Sequence, residues 1–318
     1  MPQLSILIPF FEEESKLEST LVSVLENRPY SCEVIVAHQG SYSDPYNLSD
    51  EVRFVEFERN QFHLSSIVSQ IAESVDSPVL HLLACGVQVQ HGWTNDLVEA
   101  FDDPYVGMVS PVVLNADDSV YCVGVENSFL YRNQMVGHGQ FLTPQDYESF
   151  EPVGPSQLAA FYRTDAIQEV TFLDELSQQL FGMELGLALE AIGYENKVLG
   201  SSILKWDEQQ DKKSLSMFVD PVDSQKAVWR FSGSYGFFQG LAVSTMGLCA
   251  DLLGAPFAKA SRQSLMARLS HFVCSQTAST FAEFVEEARG PLPAGSTVSI
   301  KTAEMGLSGS EIEQKRAA

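Results

Sequence analysis

Cations are scarce in this 318-residue chain: 19 Lys and Arg stand against 42 Asp and Glu, a formal net charge of −23. The deficit is concentrated in one part. Residues 1–206 hold 8 Lys and Arg against 30 Asp and Glu, and residues 207–318 hold 11 against 12. Nucleic acid is thereby excluded as a partner, because phosphate backbones are gripped by Lys and Arg clusters. A bare nucleotide diphosphate is repelled by the same field unless a divalent cation offsets it. Cysteines are few, five in all, and dispersed with no CxxC pair. That pattern argues against a disulfide framework and for free thiols in a reducing compartment. The N-terminus has no basic region followed by a long apolar run, so no signal peptide is expected and the expected location is cytoplasmic. Long apolar runs are missing as well. Ser232 to Ala250 carries no charge, but its four glycines and several polar residues fit a buried helical hairpin better than a membrane span.

What is present is a full core's worth of apolar residues, 45% of the chain, at a mean hydropathy of −0.02. This suits one large α/β domain with an appendage. The opening stretch sets the frame. Ser5 to Ile8 is a short apolar run cut by Pro9. Leu17, Leu21, Val24 and Leu25 then recur at helical spacing across Glu12 to Leu25, and Glu33 to Val36 is a second apolar run cut by Gln39-Gly40-Ser41. A β-turn-α-β unit of this length predicts two parallel strands joined by a crossover helix. In such sheets ligands sit beyond the carboxyl ends of the strands.

Further strands are predicted at Val52–Phe57, Pro78–Leu83, Tyr105–Leu114, Gln157–Tyr162 and Glu195–Ile203, with Pro78–Leu83 central. Pro111 marks an edge or a bend. Helices are predicted over Asn60–Ser74 (Leu64, Ile67, Val68 and Ile71 on one face, Ser65, Ser66 and Ser69 on the others), Thr94–Phe101 (Leu97 and Val98 inward), Thr164–Val170 and Phe181–Ile192. Between them, 120–125 and 128–131 read as hairpin strands, and Thr143 to Gly154 as an acidic loop of the kind that often covers a site. Residues 207–213 read as a polar linker, Asp223–Ala255 and Pro256–Arg289 as mostly helical, and 290–318 as a disordered tail.

The Ile8-Pro9-Phe10 strand end, the acidic helix start and the turn at His38-Gln39-Gly40-Ser41 resemble the opening of a family 2 glycosyltransferase. So do Val79-Leu-His-Leu-Leu83, His91-Gly92-Trp93, the run from Phe101 to Pro111, Arg163, Phe172-Leu-Asp-Glu175 and Ala191-Ile-Gly-Tyr194, in that order. The resemblance covers residues 1–206 and implies a GT-A fold, a Rossmann-like and mostly parallel mixed sheet flanked by helices. A helical extension over 207–289 follows. By implication the substrates are a nucleotide-sugar and a carbohydrate acceptor, with Mn²⁺ or Mg²⁺ held by an Asp-x-Asp pair.

The acids that this chemistry requires are the other thing missing. The metal position falls on Ala84-Cys85-Gly86, which supplies no metal ligand, and the nucleoside acid falls on His38. The Glu-Asp pair that opens the late helix falls on Phe181-Gly182, leaving Glu184, two residues on, as the candidate general base. Lys205-Trp206 stands where the family often has a His. Pro9, Phe11, Glu13, His38, Ser41, Cys85 and Trp93 are the candidate nucleotide- and sugar-binding residues. His38 can hydrogen-bond a base or sugar, or be a turn histidine. Trp93 can stack on a sugar or pack in the core. His81 reads as a core histidine, and Arg163 as a partner of Asp165 or Asp174. Two functions follow. One is an atypical nucleotide-sugar-dependent glycosyltransferase lacking Asp-x-Asp. The other is a catalytically inactive relative acting as a sugar- or nucleotide-binding or protein-interaction module. Residues 223–289 are expected to offer a surface to a protein partner or a second copy, and not to a membrane.

Overall fold

The structure, a computed structural model, describes residues 2–11, 14–40, 42, 44, 46–127, 133–206, 221–233, 236–254, 265–266, 268–269 and 273–289. Met1–Ala288 form one compact unit. The linker at 207–213 and the tail at 290–318 lie outside the described residues, as do Glu13 and Ser41.

One mixed sheet organises the unit. Its strands are β1 (Leu4–Pro9), β2 (Cys32–His38), β3 (Arg53–Glu56), β4 (Val79–Leu83), β5 (Gln88–Val89), β6 (Val106–Leu114), β7 (Val120–Cys122), β10 (Ala159–Arg163) and β11 (Glu195–Lys205). They lie in the order β3-β2-β1-β4-β10-β6-β11-β5, with β7 on β6, and β8 (Val125–Asn127) pairs with β9 (Asn133–Met135) in a separate hairpin. β1, β2, β3 and β4 run parallel, whereas β10 is antiparallel to both β4 and β6. The β4 strand is central, as its unbroken apolar run predicts. The hairpin prediction at 128–131 falls in its undescribed tip.

Both faces of the sheet are covered, and this explains the near-continuous apolar strands. In β1, Ile6 and Ile8 point to one layer while Leu7 points to the other. The first layer is α1 (Glu14–Asn27), whose Leu17, Thr20, Leu21 and Val24 face inward at i, i+3, i+4 and i+7. Opposite lie α2 (Leu64–Ser74), α5 (Thr164–Gln168) and α6 (Phe181–Ala191). Two C-terminal helices, α7 (Pro221–Phe231) and α9 (Ser275–Arg289), join that second layer through Ala227, Phe231, Phe281 and Phe284. The helix α8 (Phe237–Gly254) lies between them in sequence.

Three local predictions need correcting. Val98 is exposed, because α3 (Leu97–Phe101) is a short helix that buries only Leu97 and Ala100, one turn apart. Ser65 and Ser66 are buried, since α2 is enclosed on more than one side. The Asp174 side chain lies outside the described residues, and Arg163 does not take Asp165 as its hydrogen-bond partner. It donates to the carbonyls of Phe101, Asp103 and Val106 at 2.8, 2.9 and 3.1 Å, satisfying the open carboxyl end of α3. Pro111 sits in an interior strand, where β11 slips register between Leu199 and Ile203 beside it. The 143–154 segment carries the short helix α4 (Pro144–Tyr147), closed by a Thr143–Asp146 capping box. Its Tyr147 packs with Val112, Val120 and Val198.

No helix among the described residues is long and apolar enough to cross a membrane.

Candidate functional site

A cleft of about 100 Å³ opens at the carboxyl ends of β1 and β4. Pro9, Phe11, Ala84 and Cys85 line it, together with Leu64, Leu82, Gln157, Leu158, Gln178 and Trp206. None of these side chains is charged. No described residue of 143–154, the loop predicted to cover a site, lines it.

The floor is held by hydrogen bonds from the turn after β4. Ala84 N–H donates to the Leu158 carbonyl at 2.8 Å, and the Cys85 thiol to the Pro9 carbonyl at 3.3 Å. The Gly86 N–H donates to Thr20 Oγ1 of α1 at 2.8 Å. Gly86 has φ of 93°, which L side chains rarely adopt, and a Cβ there would lie 2.9 Å from the Trp206 indole. Trp206, 4% exposed, therefore stands against the position where an acidic metal ligand is expected.

A divalent cation needs hard oxygen ligands. A methyl, a thiol and a glycine offer none, and no group of three or more His, Cys, Asp or Glu among the described residues could hold a metal. The described residues at this position do not fit Mn²⁺ or Mg²⁺.

The late helix is closed in another way. α6 lies against the backbone of residues 153–155 through three glycines. A Cβ on Gly182 would be 2.0 Å from the Pro155 carbonyl oxygen, one on Gly186 2.5 Å from that of Val153, and one on Gly154 2.4 Å from that of Gly182. No side chain fits at 182, where the acidic pair is expected. Gly182→Ala should accordingly lower the unfolding free energy by at least the ~1–3 kcal/mol typical of overpacking. Thermal and urea denaturation measure it, and an unchanged midpoint would show that the helix can shift away.

Glu184 is buried at 1% exposure and does not line the cleft. Its carboxylate pairs with the Arg230 guanidinium of α7 and accepts the Ser177 N–H at 2.8 Å. Burial pushes its pKa up, opposed by the Arg230 charge and the Ser177 bond. Ser177 Oγ also donates to Asp223 of α7 at 2.8 Å.

His38 ends β2 in an aromatic group rather than at the cleft. Its ring lies 6.1 Å from Tyr42 and 6.4 Å from Phe54, and Tyr42 stacks on Phe54 at 5.1 Å. Trp93 is 1% exposed and packs on His81 at 4.8 Å, so no face is open to a sugar. His81 is a core histidine: its Nδ1–H donates to the Ala160 carbonyl at 2.9 Å, and burial lowers its pKa to about 3, leaving it neutral. The structure thus brings Pro9, Phe11 and Cys85 together and leaves His38, Trp93 and Glu184 apart from them. Leu64, Leu82, Gln157, Leu158, Gln178 and Trp206 are the lining residues that sequence reasoning did not propose for the site. Only Trp206 carried a signal, an aromatic just past the last strand.

The parallel β1–β2–β3–β4 half, the antiparallel β10 and the cleft at the strand ends define a GT-A glycosyltransferase fold. A family model described as glycosyl transferase family 2 matches residues 5–170, and the chain belongs to that family. Among solved structures, GalNAc-T7 with UDP, GalNAc and Mn²⁺ is similar over 90% of this chain and 56% of its own, at 16% identity and a TM-score of 0.56. TarS of S. aureus is similar over 77% of this chain and 40% of its own, at 11% identity and a TM-score of 0.50. The chain thus spans little more than half of the GalNAc-T7 chain and less than half of the TarS chain. No curated protein sequence matches it.

Proposed function

We propose that this family 2 member is a non-catalytic relative, whose cleft receives at most a small uncharged group such as part of a sugar ring. The observation that carries the proposal is the contact between Gly182 and the Pro155 carbonyl, which leaves no room for the acid of the late helix. Two others support it. Trp206 packs against the metal position, and Glu184 is bound to Arg230 away from the cleft. Size points the same way. Pockets for small ligands and cofactors run to about 300–1,000 Å³, and a cleft of about 100 Å³ is well below that. A diphosphate would also enter an acidic domain with no Lys or Arg among the described residues that line the cleft.

The GalNAc-T7 structure holds UDP, GalNAc and Mn²⁺, which makes UDP-GalNAc the first donor to test. Calorimetry with UDP- and GDP-sugars, with and without Mn²⁺, is expected to give no binding heat in any combination. The atypical-enzyme reading returns if a donor binds and its sugar is transferred to an acceptor.

A further inference from the structure

A second groove, of about 840 Å³, lies at the far end of the parallel strands from the cleft. Its walls are the last turn of α1 (Leu25 to Asn27), the start of β2 (Cys32 to Val34) and residues 49–53 leading into β3. Pockets for small ligands run to about 300–1,000 Å³, so this groove has the room that the cleft lacks. Two ion pairs tie the walls together. Arg28 of the α1–β2 turn donates to Glu51 at 2.5 Å, and Arg53 of β3 stands 4.0 Å from Glu33 of β2. Tyr30 also lines the groove, at its lip. It is fully exposed, and its ring makes no ring contact among the described residues.

We infer that this groove binds a neutral oligosaccharide, with Tyr30 against the face of a sugar ring and the two ion pairs hydrogen-bonded to its hydroxyls. A hydroxyl both donates and accepts, whereas a guanidinium only donates and a carboxylate only accepts. Each ion pair therefore offers a hydroxyl one group to accept from and one to donate to, side by side. Asn27, in the same lining, offers both on one amide. A sugar ring also has an apolar C–H face, which a flat aromatic ring covers while its phenol stays wet. A lone exposed aromatic is ordinary on a protein surface. This one adjoins a walled groove of paired donors and acceptors.

Charge excludes the other ligand classes. The lining holds four carboxylates, Glu26, Glu33, Asp50 and Glu51, against the two guanidiniums. A phosphate or other anion meets that excess within a half of the chain that is itself strongly acidic. A cation finds Glu33 and Glu51 already taken by Arg53 and Arg28. Glu26 and Asp50 are exposed to water, where a further ion pair adds little. An apolar ligand would strip water from charged groups and return no hydrogen bond. An uncharged ligand rich in hydroxyls leaves both ion pairs intact and uses them. The groove is separate from the cleft, so the inference does not depend on the cleft being closed.

The test is calorimetry of the full chain with neutral hexasaccharides of glucose, mannose, galactose and N-acetylglucosamine at millimolar concentration. At least one is expected to bind, and its affinity should hold when the salt concentration is raised tenfold, as an uncharged ligand requires. Tyr30→Ala should weaken it by about three- to tenfold, the scale of one aromatic contact. Arg28→Ala should weaken it by about tenfold, the scale of a hydrogen bond to a charged group. Tyr30 is fully exposed and the Arg28 side chain is 32% exposed, so circular dichroism and the unfolding midpoint should change little in either variant. Failure of all four sugars to bind overturns the inference. So does sugar binding indifferent to Tyr30→Ala, or binding lost on Phe11→Ala instead, which would place the sugar in the cleft. Binding of oligolysine, polyphosphate or a glycine–serine peptide in place of the sugars overturns it as well.

Discussion

Arg230→Met is expected to lower the unfolding free energy by about 3–5 kcal/mol, the usual result of removing one partner of a buried ion pair. Arg230 and Glu184 have side chains only 2% and 1% exposed, so the loss leaves a carboxylate with no countercharge and almost no solvent. The remaining Ser177 N–H cannot offset that. Arg230 also bonds the Glu175 carbonyl at 3.3 Å and lies over the Phe172 ring, which adds to the deficit. A double change, Arg230→Met with Glu184→Leu, should recover most of the stability, because well-packed apolar residues often replace a buried pair at little cost. The pH dependence has a definite sign. In Arg230→Met the Glu184 carboxyl has a folded pKa raised well above its unfolded value of about 4.3. Its stability contribution is full below that value and is lost as pH rises through the folded pKa. The deficit relative to the parent protein should therefore be small in mild acid and grow toward neutrality. Urea titrations over that range measure it, and a deficit that is small or flat with pH would show that the pair does little to hold α7 against α6.

That pair also shows where sequence reasoning reached and where it stopped. The alternation of Ile6, Leu7 and Ile8 is a local property, so β1 and the parallel unit it starts could be read directly. The order of the later strands followed from apolar runs between turn residues. His81 was legible too, because a histidine inside an unbroken apolar strand has only backbone carbonyls to bond. Glu184 was singled out by its position near the start of the late helix, but its partner lies 46 residues further on, in the C-terminal helical region. No local pattern announces such a contact. Gly182 could be counted as the loss of an acid, whereas the reason for the glycine is the approach of the 153–155 backbone, visible only in three dimensions. Trp93 and Trp206 carry the same lesson in opposite directions. Both follow sheet strands near the expected cleft, yet Trp93 turns into the His81–Phe161 stack and Trp206 turns into the cleft. In α8 the missing charges were plain, but which face is buried was not, because its inward stripe is made of small and polar residues.

The last expected result concerns putting the missing acids back. Ala84→Asp with Gly86→Asp restores the Asp-x-Asp pattern, and it should yield a less stable protein without metal affinity. At 86 the backbone sits at φ of 93°, where an L side chain costs ~1–2 kcal/mol, and the new Cβ meets Trp206 at 2.9 Å. Moving a buried indole adds to this. Its truncation alone, Trp206→Ala, should cost about 3–5 kcal/mol but would empty the space beside position 86. The triple change therefore separates two reasons for the absence of a metal site. If packing is what closes it, Trp206→Ala with both aspartates should bind Mn²⁺, detected by calorimetry and by a rise in unfolding temperature with added metal, while the double aspartate variant does not. The same titration with Mg²⁺ in place of Mn²⁺ checks that any response follows oxygen ligation rather than the Cys85 thiol. Mn²⁺ binding by the double variant with Trp206 intact would refute the packing argument, since the indole would then have yielded its place to a carboxylate. Failure of the triple variant to bind would place the cause beyond Trp206, in the absence of any other described carboxylate close enough to complete the ligand set.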